Sequence, residues 1–89
     1  MHRVVLECSG VPAAEGNEAA IDIEQEFREH RPHHQNVQCT FEDGKLVLKA
    51  DNDFDPEGLA LMDEFSDCIS AYISTLFDGD LRLVSSTAI

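Results

Sequence analysis

Between Val37 and Ala50 the chain alternates apolar and polar residues on both sides of an Asp43-Gly44 pair. No other feature constrains the fold as strongly. Val37, Cys39 and Phe41 fall on one face, with Gln38, Thr40 and Glu42 on the other; after the pair, Leu46, Leu48 and Ala50 resume the apolar face. A period of two belongs to a strand with one face on a core and one in water. Asp-Gly between two such strands is the signature of a tight hairpin, because the turn requires positive φ, where glycine carries no steric penalty. The chain must therefore contain an antiparallel sheet with something apolar packed on one side.

The flanking segments say what that something is. Residues 3–8, Arg-Val-Val-Leu-Glu-Cys, are aliphatic and β-branched and run into Ser9-Gly10-Val11-Pro12, a strand followed by a turn. Ala13 to Arg31 is rich in Ala, Glu and Gln and stops at Pro32. Ala20, Ile23 and Phe27 recur at helical spacing with Ile21 beside them, and Asn17 is the expected N-cap. Asp55-Pro56-Glu57 has the chemistry of a helix start, an Asp cap with Pro in the first turn. Leu61, Phe65, Ile69, Tyr72 and Leu76 then mark an apolar face, widened by Met62, Cys68 and Ile73. Asp63, Glu64, Asp67, Ser70 and Ser74 lie outside it. A turn at 78–80 and a last strand over 81–85 complete the order strand, helix, strand, strand, helix, strand.

Two strand–helix units flanking a hairpin form an α+β sandwich of the ferredoxin-like βαββαβ kind. It is a four-stranded antiparallel sheet with both helices on one face, and right-handed crossovers place the first and third strands at its centre. With 89 residues, one domain over 1–89 is expected. Val5 and Val47, with Val84, are expected on the sheet face away from the helices, where a second copy of the chain could cover them.

Charge narrows the partners. Lys and Arg total 6 against 18 Asp and Glu, a formal charge of −12. Nucleic acids and anionic lipids are held by clustered cations, and Arg3, Arg28, Arg31, Lys45, Lys49 and Arg82 form no basic run. Direct nucleic-acid binding and membrane attachment are therefore not expected. Glu18, Asp22, Glu26 and Glu29 on the first helix and Asp63, Glu64 and Asp67 on the second are the candidate partner-binding residues. If both helices cover one side of the sheet, these carboxylates make a broad acidic surface suited to a basic protein. The competing expectation is a solvated face that keeps a small domain soluble. Cys8, Cys39 and Cys68 are odd in number, lack a CxxC pair and lie in apolar segments. Three buried free thiols in a reducing cytoplasm is the simplest reading.

Site chemistry is sparse. His30, His33 and His34 with Cys39 offer metal-ligand atom types without a metal-site spacing, and an exposed polar connector explains them better. Asp51, Asp53, Asp55 and Glu57 imitate the first half of a calcium loop. Pro56 stands where that loop needs Gly, and Met62 where it needs a bidentate Glu. No nucleophile–base pattern and no phosphate-binding glycine loop is present, so neither catalytic residues nor a cofactor are expected. The reading is a non-catalytic binding or regulatory module, with a small-molecule sensor at a homodimer interface near residues 9–17 as its alternative.

Overall fold

The structure, a computed structural model, describes residues 1–73 and 79–89. Its elements are β1 (His2–Ser9), α1 (Ala13–His30), β2 (Gln35–Glu42), β3 (Lys45–Asn52), α2 (Leu59–Tyr72) and β4 (Asp80–Ala88). The strands form one antiparallel sheet in the order β2-β3-β1-β4. The fold is thus the α+β ferredoxin-like arrangement, with β1 and β3 central.

Alternation dictates the hairpin. Asp43 and Gly44 both take positive φ, 52° and 75°, as a two-residue turn matched to strand twist demands. Val37, Cys39, Leu46, Leu48 and Ala50 are buried on the helix side with Val4, Leu6 and Cys8 of β1. Ile23 and Phe27 of α1 and Leu61 and Phe65 of α2 close the core from above.

Helix boundaries follow packing more than capping residues. α1 begins at Ala13 with Pro12 at the N-cap, and Asn17, the expected cap, is an exposed residue inside the helix. The extra turn brings Gly16 against Phe41, where an added Cβ would lie 2.3 Å from the ring. Only glycine lets α1 approach the hairpin so closely. Ile21, placed beside the apolar stripe by sequence, is 67% exposed. α2 begins at Leu59, three residues later than the Asp55-Pro56 signal suggests, with Gly58 in the left-handed region at its N-cap. Asp55 nevertheless caps it: Oδ1 accepts the Leu59 N–H at 3.0 Å and Oδ2 the Leu61 N–H at 3.1 Å. The expected helix residues Ser74 and Leu76, and Asp78 of the turn, lie outside the described residues.

β4 runs to Ala88 and carries an irregularity opposite Val5 and Leu6 that leaves Val84 unpaired in the register. On the sheet face away from the helices, Val5 and Val47 are half-buried, as expected. Ion pairs border them: Arg3–Asp51 on one side, and Lys45–Glu7–Arg82 on the other.

Candidate functional site

Three elements meet at one corner of the sandwich: the end of α1, the end of β3 and the first turns of α2. Glu64 sits at their centre. Its Oε1 accepts from His33 Nε2 at 3.2 Å and from His34 Nε2 at 3.1 Å, and its Oε2 accepts from Arg31 Nη1 at 3.3 Å. Burial alone would push this carboxyl's pKa up, but the donors from His34 and His33 outweigh it and hold it below the ordinary value. The Arg31 guanidinium also lies 5.6 Å from the centre of the Phe27 ring. His33, His34 and Phe54 stack around the cluster with ring centres 4.3–5.7 Å apart.

The exposed connector expected here holds at His33, which is 47% exposed, and is corrected at His34. The His34 side chain is fully buried, and it holds the corner together. The backbone first carries it past the end of α1, and β2 starts directly behind it at Gln35, with Asn36 at φ 52°.

Hydrogen-bond polarity then fixes the state of the ring. Asn52 Oδ1 accepts the backbone N–H of Phe54 at 3.4 Å and of Asp55 at 3.0 Å. The Asn52 amide nitrogen is therefore the atom facing His34 Nδ1, 3.3 Å away, and it donates. Nδ1 must supply the lone pair, and the ring proton sits on Nε2, which donates to Glu64.

This decides what the cluster can do. His33, His34 and Glu64 place their donor atoms within 4.8 Å of one another, close enough to surround a metal ion. A metal at His34 Nε2, however, needs the lone pair of the nitrogen that here bears the proton. The proton would then move to Nδ1, where it meets the Asn52 N–H donor. Metal-ligating histidines normally find an acceptor at that position. The donor set does not fit a metal centre and does fit a hydrogen-bonded hub. His30 and Cys39 take no part: His30 is exposed, and Cys39 is buried under α1, where its N–H donates to Glu24 at 2.9 Å.

The Asp51–Glu57 series disperses in the same way. Asp51 lies on the open sheet face and takes both nitrogens of the Arg3 fork, at 2.9 and 3.0 Å, while Asn36 donates to its Oδ2. Arg3 and Asn36 hold the Asp51 carboxyl below its usual range against the opposing effect of burial. Asp53 and Glu57 are exposed, and Asp55 is committed to α2. These four carboxylates do not converge on a cation.

The remaining acidic residues separate by layer. Six carboxylates and Arg28 lie on α1, with three carboxylates and no cation on α2, a formal sum of −8. The strands carry Glu7, Glu42, Asp51 and Asp80 against Arg3, Lys45, Lys49 and Arg82, which cancel. Arg3, Arg28, Arg31, Lys45 and Arg82 are paired with Asp51, Glu24, Glu64 and Glu7. Among the described residues, Glu18, Asp22, Glu26, Asp63 and Asp67 form no ion pair. Glu29 accepts a hydrogen bond from Gln25 and lies 3.8 Å from His30 Nε2. Of the seven candidate residues Glu64 is bound into the hub, Asp22 and Glu26 are half-buried, and Glu18, Glu29, Asp63 and Asp67 are exposed.

Between α1 and the end of α2, Asp22, Gln25, Glu26, Glu29, His30 and Tyr72 line a shallow groove of about 200 Å³. The Tyr72 hydroxyl is pushed above its usual pKa, first by partial loss of water and then by the nearby carboxylates, Glu26, Asp22 and Glu29 among them. Sequence reasoning placed Tyr72 on the apolar face and so missed its place in this groove. Its position one helical turn beyond Cys68 was the available signal.

Compared with family models, with curated proteins and with solved structures, the chain matches none. No helix among the described residues is long and apolar enough to cross a membrane.

Proposed function

We propose that this chain is a non-catalytic binding or regulatory module of a reducing compartment such as the cytoplasm, and that its acidic helical layer engages a basic protein partner. The supporting observation is the separation of charge: the helices sum to −8 while the strands sum to zero. A uniformly acidic surface would serve solubility alone. A one-sided field orients the molecule during encounter with a cationic surface and raises the association rate. The contact residues are Glu18, Asp22, Glu26, Glu29, Asp63 and Asp67. Glu64 contributes through the hub that joins the two helices.

The small-molecule alternative near residues 9–17 gains no support from geometry. Val11 is buried and donates to Gly44 O at 2.9 Å, and the Phe41 ring occupies the space beside Gly16.

A short arginine-rich peptide serves as a probe of chemistry, and capture from a lysate followed by mass spectrometry as a probe of identity. Both are run on the native chain and on a variant with Asp22, Glu26, Glu29, Asp63 and Asp67 changed to their amides. Exposed charge contacts contribute roughly 0.2–1 kcal/mol each, so the five changes together should weaken peptide binding by at least about fivefold. Native affinity should also fall as salt rises. A control with Glu42→Gln and Asp43→Asn on the hairpin should bind nearly as the native chain does. Equal binding by native chain and helix variant at low salt, or native binding that does not weaken as salt rises, would remove the proposal.

A further inference from the structure

We infer that His34 and Asn52 form an acid-sensitive latch: a second proton on the His34 ring turns the Asn52 amide over and releases the loop that leads into α2. The latch is part of the fold and works with or without a basic partner.

The His34 ring lies between two groups that respond to its charge in opposite ways. At Nε2 it donates to the Glu64 carboxylate, 3.1 Å away, and that carboxylate favours a charged ring. Despite burial, the histidine donors hold the Glu64 carboxyl below its ordinary value, so it stays charged through the range in which imidazoles titrate. At Nδ1 the ring accepts from the Asn52 amide at 3.3 Å. A proton entering there meets the Asn52 N–H₂, donor against donor. The conflict ends when the amide turns over and offers Oδ1 to the new Nδ1–H. Oδ1 then leaves the backbone N–H groups of Phe54 and Asp55, from which it accepts at 3.4 and 3.0 Å.

Asp55 carries the consequence into α2. Its carboxylate accepts the Leu59 and Leu61 N–H groups, and its carbonyl accepts the Gly58 N–H at 3.1 Å. Asn52 and Asp55 are 1% and 8% exposed, so water does not replace the lost acceptor while the loop stays closed. The segment 53–58 must open to find it. Phe54, whose ring centre lies 5.7 Å from those of His33 and His34, moves with it.

The other charged groups around the ring are engaged elsewhere. On its own connector, Arg31 and His33 donate to Glu64. On α1, Arg28 lines a surface cavity with His34 and pairs with Glu24, and the Phe27 ring covers His34 at 5.7 Å. On β3, Asp51 holds Arg3 and Asn36. Asn52 is the group that must yield.

Hydrogen exchange on the native chain, expressed as protection relative to an unstructured peptide, tests the latch between about pH 7.5 and about pH 5.5. Protection at Asp55, Leu59 and Leu61 should fall at least about tenfold, while the central strand amides of Leu6 and Leu48 keep theirs. Over the same range, ¹⁵N NMR should show His34 Nδ1 gaining its proton as the Asn52 side-chain amide and the Phe54 and Asp55 N–H signals shift. Asn52→Asp offers an acceptor to the ring and to the loop at once, and should keep the loop protected at both pH values. His33→Gln keeps a donor on Glu64 and should respond as the native chain does. Unchanged protection in the native chain, or Nδ1 protonation without movement of the Asn52 amide, would overturn the proposal. So would the same loss in folded Asn52→Asp, or no response in folded His33→Gln. A fall shared by Leu6 and Leu48 would also overturn it, because that reports global unfolding instead of release of the loop.

Discussion

Replacing Glu64 with Gln tests the hub at its centre. The native carboxylate accepts three hydrogen bonds, two at Oε1 from His33 and His34 and one at Oε2 from Arg31. Gln keeps a carbonyl oxygen for the histidines and turns an amide N–H₂ toward Arg31. One charge-assisted bond is lost, and the guanidinium then faces a donor, with its buried Nε already lacking a hydrogen-bond partner among the described residues. Bonds to charged groups contribute roughly 1.5–3 kcal/mol. The Arg31 and Glu64 side chains are 29% and 16% exposed, so water softens the loss, and a value of about 2 kcal/mol follows. For a domain of this size that lowers the thermal midpoint by roughly 8–16 °C at pH 7, read by circular dichroism. The pH dependence carries a definite sign. A carboxyl held below its ordinary pKa stabilises the fold above the unfolded value and ceases to do so as acid protonates it. The native advantage over Glu64→Gln should therefore shrink as pH falls from neutral through the carboxylate range, and close once Glu64 is protonated. A Glu64→Gln midpoint within about 2 °C of native at pH 7, or a gap that widens in acid, would refute the hub as a source of stability.

Three further outcomes concern Gly16, the cysteines and the His34 ring. Gly16→Ala should destabilise by about 1 kcal/mol in urea unfolding, because overpacking against Phe41 at roughly 1–3 kcal/mol exceeds the helix-propensity gain of about 1; adding Phe41→Leu should restore most of it, and a stabilised single variant would contradict the packing. The Cys39 thiol, pushed up to about 12 by burial and then by Glu24, and the buried thiols of Cys8 and Cys68 should react with a thiol reagent near pH 8 only as fast as the protein opens; stoichiometric labelling of the folded state within seconds would contradict this. Long-range ¹⁵N NMR should find the His34 proton on Nε2, and metal analysis after exposure to Zn²⁺ should find no equimolar uptake; a proton on Nδ1 or one bound zinc would reverse the polarity argued from Asn52.

The parts legible in the sequence are those with short-range causes. The hairpin could be read because alternation and the Asp43-Gly44 turn are both local, and the element order followed from it. The start of α2 could be read only in kind. Asp55 is its cap, but the carboxylate reaches across a turn to Leu59 and Leu61 instead of sitting next to the first helical residue. The start of α1 was misplaced because Asn17 has good capping chemistry, whereas the constraint that places the helix is Gly16 against Phe41, a contact between distant elements. His34 was illegible for the same reason. Its partners Asn52 and Glu64 lie 18 and 30 residues away, and nothing local distinguishes a histidine that will be buried from one in an exposed connector. The seven acidic candidates could be listed from sequence, but which of them is turned inward depends on the way α2 sits on α1.

That packing also sets a difference between acidity that supports the fold and acidity that opposes it. On α1, Glu18, Asp22, Glu26 and Glu29 follow one another at spacings of four, four and three, so each faces a like charge. Such pairs destabilise a helix by roughly 0.2–0.5 kcal/mol each. Tyr72 brings the last turn of α2 beside Asp22, Glu26 and Glu29, and that turn contains no basic residue to offset the partial negative charge of a helix C-terminus. The chain could relieve this strain with one lysine, yet its cations are on the sheet or bound into pairs. A surface kept only for solubility has no need to concentrate repulsion in this seam. A surface that receives a cation gains three carboxylates and a helix terminus aimed at the same place. The two accounts part on one measurement: changing Asp22, Glu26 and Glu29 to amides should stabilise the isolated protein by about 1 kcal/mol while weakening its hold on a basic partner. If the same variant is both less stable and equally able to bind, the carboxylates belong to the architecture and the acidic seam is not a docking surface.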